Sequence, residues 1–323
     1  MSDERLRGAL EQLGTHGVVA DPISLKKHHV QGYISEVYTV ASSVGHLVIH
    51  IVKISPAQEH LRAWEKLAPL SNLLRGAEIP VSEVLFSHRF ATHYIVVQRL
   101  LEGENAGSRD IHDDDFTDTW REPVKEYQDQ VISTAARLHR IPVSGFGWLR
   151  LKGDTLAGEH PTWEAFLNAE IPIWVAAIQG AERIRGTEGS GFLERVNRFA
   201  GEVLPELAYA GAPAIVHGDL TNPSNILCKD GRITGIIDWE FAIAADPAWE
   251  FHYKNPYSLE EYFHYVPNMS EADRTLFRRR TEIYGYLPFL LWLYITSWDP
   301  NGSLYRSSRS ILERRLTERG RPL

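Results

Sequence analysis

The chain has 323 residues, of which 43% are hydrophobic and 24% charged, and this length and composition predict a globular protein with two domains or lobes. Its 34 basic residues against 42 acidic ones give a formal net charge of -8, which argues against nucleic acid or an anionic membrane as a partner and favours cationic molecules. Cys228 is the only cysteine, so an intramolecular disulfide, a zinc cluster and a two-cysteine redox motif are excluded. The first residues lack the basic and apolar regions of a secretory signal, and we predict a cytoplasmic protein.

The first hundred residues predict a small β-sheet with one helix. Two runs rich in β-branched residues, 37–40 and 46–54, flank a glycine and predict a hairpin. Apolar residues at helical spacing over 57–74 predict a helix after the second strand. Residues 83–86 and 94–100 predict two more strands. Together these elements indicate a β-rich amino-terminal lobe with a helix packed on it.

A polar, acidic stretch after residue 101 predicts the boundary between an amino-terminal lobe (1–101) and a carboxy-terminal lobe (102–323). The second lobe reads as mainly helical. Its helical patterns cover residues 124–138, 163–179, 192–209, 273–298 and 307–319. A β-like segment at residues 214–237 interrupts them, and this segment carries the most informative polar residues.

Within that segment, an Asp-Gly pair separates two apolar runs and predicts a tight β-hairpin. Folding at this turn brings Asn225, at the start of one strand, close to Asp238, at the end of the other. An amide oxygen and a carboxylate are hard oxygen ligands, suited to a magnesium ion that substrate phosphates complete. The hairpin end is therefore a candidate metal site.

Asp219 lies in a loop that follows an apolar run just upstream and ends near the same point. A carboxylate there can accept the proton of an attacking hydroxyl, while the metal neutralises phosphate charge, as phosphoryl transfer requires. The alternative is that these Asp and Asn residues only occupy turns. That alternative explains each residue alone, but it does not explain why they meet at one hairpin end.

These residues resemble a known family. The pattern His-x-Asp, then Asn, then Ile-Asp-Trp, at 217–239, is similar to the catalytic loop and metal-binding segment of the aminoglycoside phosphotransferases, with further similarity at 144–147 and 162–167. The resemblance implies an α+β, bilobal protein-kinase-like fold, with a small amino-terminal β-sheet lobe carrying a helix and a larger, mainly helical carboxy-terminal lobe. It also implies ATP or GTP as phosphate donor and Mg²⁺ as cofactor.

One departure from the family pattern concerns the metal ligand. The family Asn follows the Asp by five residues, whereas Asn225 follows Asp219 by six, and Ser224 holds the fifth position. Ile226 and Leu227 follow Asn225 as the family pattern requires, which favours Asn225 over Ser224. By the same resemblance, the histidine of the motif shapes the loop and does not react.

The resemblance also implies a nucleotide site in the amino-terminal lobe. Gly32 and Ser35 would belong to the loop that covers the nucleotide. Lys53 would hold its α and β phosphates, and Glu65 would orient Lys53. His50 is an alternative to Lys53, because this register leaves Leu47, Ile49 and Ile51 alternating onto the core face.

The residues from Gln98 to Leu100 would form the hinge that meets adenine through its backbone.

The function implied by the resemblance is phosphorylation of a hydroxyl on a small cationic aminocyclitol or aminoglycoside of the hygromycin type, giving antibiotic resistance. Asp219 would be the base, and Glu240 and Glu250 would contact the acceptor. The protein would be a monomer or weak dimer. A metabolite kinase of the choline, homoserine or methylthio-sugar type is the alternative, and a choline-type acceptor would need tryptophans in the cleft. A third possibility is a non-catalytic nucleotide sensor.

Overall fold

The computed structural model of the chain describes residues 4–28, 35–62, 64–111, 116–252 and 259–319. Its α-helices are α1 (Glu4–Thr15), α2 (Pro56–Leu61), α3 (Leu67–Gly76), α4 (Val124–Leu138), α5 (Trp163–Arg185), α6 (Phe192–Val203), α7 (Leu259–Tyr265), α8 (Glu271–Tyr284), α9 (Leu287–Ile295) and α10 (Ser303–Arg319). Its strands in the first half of the chain are β1 (Lys26–Lys27), β2 (Ser35–Ser42), β3 (Gly45–Lys53), β4 (Val84–Arg89), β5 (His93–Arg99), β6 (Glu104–Asn105), β7 (Gly107–Ile111) and β8 (Phe116–Trp120). The later strands are β9 (Gly147–Trp148), β10 (Arg150–Lys152), β11 (Thr155–Ala157), β12 (Ala214–Val216), β13 (Ile226–Lys229), β14 (Arg232–Ile236) and β15 (Ile243–Ala245). Short 3₁₀ turns cover Leu204–Leu207, Pro223–Asn225, Trp239–Phe241 and Pro247–Phe251.

The amino-terminal sheet is antiparallel, in the order β1-β2-β3-β5-β4. Successive side chains of a strand point to opposite faces, and β3 shows this clearly. Leu47, Ile49 and Ile51 belong to a small core with α1. Val52 and its partner on β5, Tyr94, belong to the larger core, which continues into the helices of the second half of the chain. One face of the sheet is therefore closed by α1, and the other faces the rest of the protein.

The predicted amino-terminal hairpin and the strands at 83–86 and 94–100 are confirmed by β2–β5. The single helix predicted over 57–74 is wrong. The chain forms α2 and α3 instead, separated by a turn in which Arg62 has a φ of 46°. A left-handed residue cannot continue a right-handed helix, so the apolar periodicity runs through a break that it does not reveal.

The carboxy-terminal half is mainly helical, as predicted, with α4 at the predicted bounds. The helix predicted over 273–298 is two helices, α8 and α9, because Gly285 and Pro288 lie at the junction. The stretch after residue 101, predicted as a linker, instead contains β6 and the antiparallel pair β7–β8. No helix within the described ranges is both long and apolar enough to span a bilayer.

Four short strand pairings position the polar loops. β13 and β14 form the predicted hairpin, whose turn residues Asp230 and Gly231 have φ values of 51° and 76°. β6 pairs with β13, and β12 pairs with β15, which in turn pairs with β9. The larger core holds residues from both sides of position 101, and the lobe boundary at that position stays a prediction.

Candidate active site

Asp219 is held by side chains from three directions. Arg109 Nη1 donates to its Oδ1 at 2.7 Å. The amide nitrogens of Asn222 and Asn225 donate to its Oδ2 at 2.9 and 3.0 Å. The Asp219 side chain keeps 23% of its surface exposed, so it is immobilised and still open to an incoming hydroxyl.

Asn225 is buried, with 3% of its surface exposed, at the end of a 3₁₀ turn. Its amide nitrogen donates to the backbone carbonyl as well as to the carboxylate of Asp219, which directs its amide oxygen away from both. Ser224 is occupied differently, because its hydroxyl donates to the Asn222 Oδ1 at 2.6 Å. The geometry thus supports the choice of Asn225 over Ser224 as the metal-facing residue.

Asp238 lies two residues after the end of β14, and the intervening Ile237 amide donates to the Asn225 carbonyl at 2.9 Å. This pairing places Asp238 one residue beyond Asn225 at the open end of the hairpin. Asp238 has a φ of 67°, which is uncommon outside glycine and is a feature that concentrates at functional sites. Desolvation of its carboxyl group raises the pKa of Asp238 to about 6, with His217 acting in the opposite direction and Asp219 in the same direction.

The loop before Asp219 is shaped by His217 and Glu250. The His217 ring accepts from the Asp219 amide through Nδ1 and contacts the Ile237 carbonyl through Nε2, at 3.2 and 2.8 Å. It thereby joins the loop to the end of β14, in agreement with a structural role for this histidine. Gly218, which lies between His217 and Asp219, has a φ of 86°, a backbone conformation that favours glycine.

The predicted role of Glu250 in acceptor binding is wrong. Its carboxylate is fully buried and accepts from the backbone amides of His217, Gly218 and Leu220 at 2.7, 3.1 and 3.2 Å. Burial alone would raise the pKa of Glu250, but His139 and these donors outweigh it and hold the pKa below its usual value. Glu250 therefore holds the backbone of the catalytic loop from its buried side.

Glu240 lies in the 3₁₀ turn that follows Asp238. Burial and the Asp238 charge raise the pKa of Glu240 to about 8, while Lys66 acts in the opposite direction. Lys66 itself is 2% exposed and donates to the Ala242 carbonyl at 2.6 Å. Its burial and the nearby Arg150 lower the pKa of Lys66 to about 7. Glu240 thus borders the site, and its contact with an acceptor stays a prediction.

The structure places His50, and not Lys53, on the sheet face that looks toward the rest of the protein. Lys53 lies on the opposite side of β3, is exposed, and has its ammonium 5.4 Å from the centre of the Trp298 ring. His50 is 3.2 Å from the Gln98 amide nitrogen, and burial lowers the pKa of His50 to about 4. Lys53 therefore lies off the inward face of the sheet and His50 on it, and the choice between them as the phosphate contact stays a prediction.

The predicted Lys53–Glu65 pair is absent from the described residues. Glu65 lies in the turn between α2 and α3, where it accepts from Arg62 Nε at 2.8 Å and from the Tyr94 hydroxyl at 3.3 Å. In this turn, which the sequence periodicity concealed, Glu65 is engaged with Arg62 and Tyr94.

The other predicted nucleotide contacts are placed as follows. Ser35 begins β2 opposite Val52, and Gly32 lies outside the described residues. Gln98 lies in β5 beside His50, as noted. The Leu100 amide donates to the His46 carbonyl at 2.9 Å, so this amide is engaged within the protein, and the adenine contact through the backbone of 98–100 stays a prediction.

The tryptophans considered for a quaternary-ammonium acceptor do not converge within the part of the chain that the structure describes. Trp239 and Trp249 are buried core residues, and Trp292 packs against Phe241. Trp298 is exposed beside Lys53. A choline-type cage is therefore not formed by these side chains.

The hairpin end fits a magnesium ion. Asn225 offers an amide oxygen and Asp238 a carboxylate, which are the hard oxygen donors that Mg²⁺ takes alongside waters and phosphates. Desolvation and the neighbouring Asp219 charge raise the pKa of Asp238, and a bound divalent cation would favour the ionised form of both carboxylates.

Sequence reasoning missed Arg109 and Lys66. Arg109 lies in the acidic stretch that was predicted as a linker. The signal that could have found it is the neighbouring run Phe116–Trp120, in which aromatic and β-branched residues favour a strand. Lys66 carries no such signal, because a lysine beside an apolar helix pattern is indistinguishable from a surface residue.

Comparison with known proteins supports the assignment of the fold. The gentamicin complex of APH(2'')-IIa aligns with a TM-score of 0.61 and 14% identity, covering 97% of this chain and 96% of that one. The ADP-bound aminoglycoside phosphotransferase APH(2'')-Ib gives 0.57 at 13% identity, with 97% and 99% coverage. The ethanolamine kinase of Plasmodium vivax gives 0.58 at 14% identity, with 97% and 89% coverage. These similarities confirm the kinase-like α+β fold.

A short segment of 43 residues is also 42% identical to the uncharacterized protein YcbJ of Bacillus subtilis (strain 168), spanning 13% of this chain and 14% of that protein. The model of the phosphotransferase enzyme family matches residues 27–253, which include the whole catalytic loop and hairpin. The chain thus belongs to the phosphotransferase enzyme family, and it is a phosphotransferase.

Proposed function

We propose that the protein transfers the γ-phosphoryl group of ATP to a hydroxyl of a small, positively charged molecule, with an aminoglycoside or aminocyclitol antibiotic as the leading acceptor class. The observation that carries the proposal is the arrangement at the hairpin end. The side-chain amide of Asn225 donates to both the backbone carbonyl and the carboxylate of Asp219. Asp238 lies next to Asn225 at the open end of the hairpin. Phosphoryl transfer depends on this kind of positioning and charge neutralisation.

In this proposal, Asp219 accepts the proton of the attacking hydroxyl, and Asn225 and Asp238 hold Mg²⁺ against the nucleotide phosphates. Among the structural neighbours, one aminoglycoside phosphotransferase is bound to ADP and another to gentamicin, which supports the choice of donor and acceptor. The net charge of -8 supports attraction of a cationic acceptor. GTP is retained as an alternative donor.

A second acceptor class, a metabolite with at most one positive charge, is favoured by a specific observation. Glu250, a carboxylate predicted to contact a polycationic acceptor, is instead buried and hydrogen-bonded to the backbone amides of the catalytic loop. Homoserine and methylthio sugars belong to this class. A neighbour that is an ethanolamine kinase supports including small amino alcohols as well.

The test is magnesium-dependent nucleotide turnover against hygromycin B, gentamicin, spectinomycin, ethanolamine, choline, homoserine and a methylthio sugar, with ATP and GTP compared. Turnover with one antibiotic, lost in Asp219→Asn, supports the leading proposal. Turnover confined to a metabolite moves the protein to the second class. Binding of ATP without turnover of any acceptor would contradict the proposal and support a nucleotide sensor.

A further inference from the structure

The β7–β8 ladder places an arginine next to Asp219, the candidate catalytic base. Arg109, in β7, forms a two-point ion pair with Asp118 of β8, with Nε–Oδ1 at 2.7 Å and Nη2–Oδ2 at 2.8 Å. Its third nitrogen, Nη1, donates to Asp219 Oδ1 at 2.7 Å. The side chains of Arg109 and Asp118 are each 8% exposed. A guanidinium is a planar fork, so pairing two nitrogens with Asp118 fixes the direction of the third.

This ladder is built onto the catalytic loop. The Ala106 amide donates to the Ile226 carbonyl at 2.7 Å, and β6 pairs with β13. The side-chain amide of Asn105 donates to the backbone carbonyl of Ser224, in the turn that ends at Asn225. The element that carries Arg109 and the element that carries the metal-facing Asn225 therefore form one connected unit.

The approach of the ladder to this turn is close. A Cβ added to Gly107 would lie 1.9 Å from the Thr119 carbonyl oxygen and 2.9 Å from the Pro223 Cβ. Only glycine fits between the two elements without a shift of the backbone. The ladder is thereby seated against the turn, and Arg109 reaches Asp219 from a rigid support.

We propose that Arg109 is a positioning residue for phosphoryl transfer, which holds the Asp219 carboxylate in its reactive orientation through the Asp118 anchor. This inference rests on the proposed function, because it assigns Asp219 the role of base. Asp219 Oδ1 is held by Arg109, and Oδ2 by Asn222 and Asn225. The acceptor hydroxyl can then donate its hydrogen bond only to the lone pairs of Asp219 that these three partners leave open, on a carboxylate of fixed orientation. Misplacement of a reacting group by about 1 Å can cost about 100-fold in rate.

The main alternative is that Arg109 acts only as a nearby positive charge, and the Asp118 anchor separates the two roles. As a simple counter-charge, Arg109 would be more effective without Asp118, and any cation would replace it. As a positioning residue it needs both its planar fork and its anchor. Loss of Asp118, which does not itself contact Asp219 in the described residues, should then impair turnover.

The experiment compares Arg109→Gln, Arg109→Lys and Asp118→Asn for kcat and for the KM values of ATP and acceptor. We expect kcat to fall about 10- to 100-fold in Arg109→Gln, with the KM of ATP unchanged. We expect a fall in the same direction in Asp118→Asn and only partial rescue in Arg109→Lys. Unchanged kcat in Arg109→Gln, or unchanged or raised kcat in Asp118→Asn with full rescue by Arg109→Lys, would overturn the proposal.

The matched control is Arg121→Gln, which removes a positive charge at the end of the same ladder. Arg121 is largely exposed and pairs with Glu104. We therefore expect the kcat of Arg121→Gln to equal that of the wild type. A loss in this control equal to that of Arg109→Gln would assign the effect to ladder charge and would also overturn the proposal.

A second readout needs no acceptor. Thermal unfolding of Arg109→Gln, Asp219→Ala and the double variant forms a double-mutant cycle. If the wild type phosphorylates no acceptor, the proposed function fails, yet the cycle still tests the Arg109–Asp219 contact. Non-additive decreases in Tm support a direct coupling between Arg109 and Asp219, and additive decreases contradict it.

Discussion

At the scale of single residues, the extra residue between Asp219 and Asn225 is accommodated by a 3₁₀ turn that Asn222 caps. The turn lets Asn225 reach the Asp219 carbonyl while Ser224 bonds within the turn. We expect Asn225→Ala to raise the Mg²⁺ concentration for half-maximal turnover by at least about tenfold, because a metal-facing oxygen is lost. Ser224→Ala is the matched control and should change it less than about twofold. Magnesium titrations of initial rate measure both, and the reverse order would assign the ligand to Ser224.

A second prediction at this scale concerns the nucleotide contact. His50 lies on the inward face of β3 next to Gln98, whereas Lys53 lies at the exposed strand end. We expect His50→Ala to weaken Mg-ADP binding about 3- to 10-fold, the loss of about one hydrogen bond. Lys53→Ala should leave it within about twofold. Calorimetric titration with ADP compares the two, and a larger loss in Lys53→Ala would favour the lysine assignment.

Single residues were predictable where the local chain determines their place. Asp238 and Asn225 follow from an Asp-Gly hairpin, which is specified by neighbouring residues alone. The choice between His50 and Lys53 was not determined in this way, because both faces of β3 are covered, one by α1 and one by the larger core. Glu250 was misassigned for a related reason, since its partners are backbone amides 30 to 33 residues away.

At the scale of elements, the catalytic loop depends on a single buried carboxylate. Glu250 accepts three backbone amides of the loop, and a glutamine can offer one oxygen in place of two while adding donors that face other donors. We expect Glu250→Gln to lower the free energy of unfolding by about 2 kcal/mol and to abolish turnover. Glu261→Gln, at an exposed position, is the control. Denaturant unfolding measures both, and equal stability of the two variants would contradict the role given to Glu250.

Elements were predictable from the sequence when one periodicity persisted without interruption. α4 and the β2–β3 hairpin are of this kind. The break after α2 was hidden because its cause is a left-handed Arg62 within an unbroken apolar pattern. The β7–β8 ladder was hidden because its charged residues pair with each other and with the catalytic loop, so they read as the solvated residues of a linker.

At the scale of the whole molecule, the candidate active site lies where several acidic groups meet, beside a core that residues from both halves of the chain share. The pKa of Asp238 is raised to about 6 and that of Glu240 to about 8. An acid whose pKa is raised by folding contributes stability below its ordinary pKa, and this contribution is lost as the pH rises through the folded value. For Asp238, the loss extends from its ordinary value of 3.8 to about 6.

Asp238→Asn removes this contribution, because an amide does not ionise, and it also removes the Asp238 charge that raises the pKa of Glu240. Other groups titrate in the window as well: the pKa values of His50 and His252 are lowered to about 4, which acts with the opposite sign and cancels in a comparison of variant with wild type. We expect the Tm of Asp238→Asn minus that of the wild type to increase between pH 4 and pH 6 and to rise further toward pH 8, where Glu240 ionises. Mg-ADP should stabilise the wild type more at pH 7 than at pH 5, since the ionised Asp238 is then compensated by the cation. Differential scanning calorimetry at fixed ionic strength measures both quantities. A Tm difference independent of pH would show that Asp238 is ionised without cost in the nucleotide-free protein, and it would remove the electrostatic argument for a cation at the hairpin end.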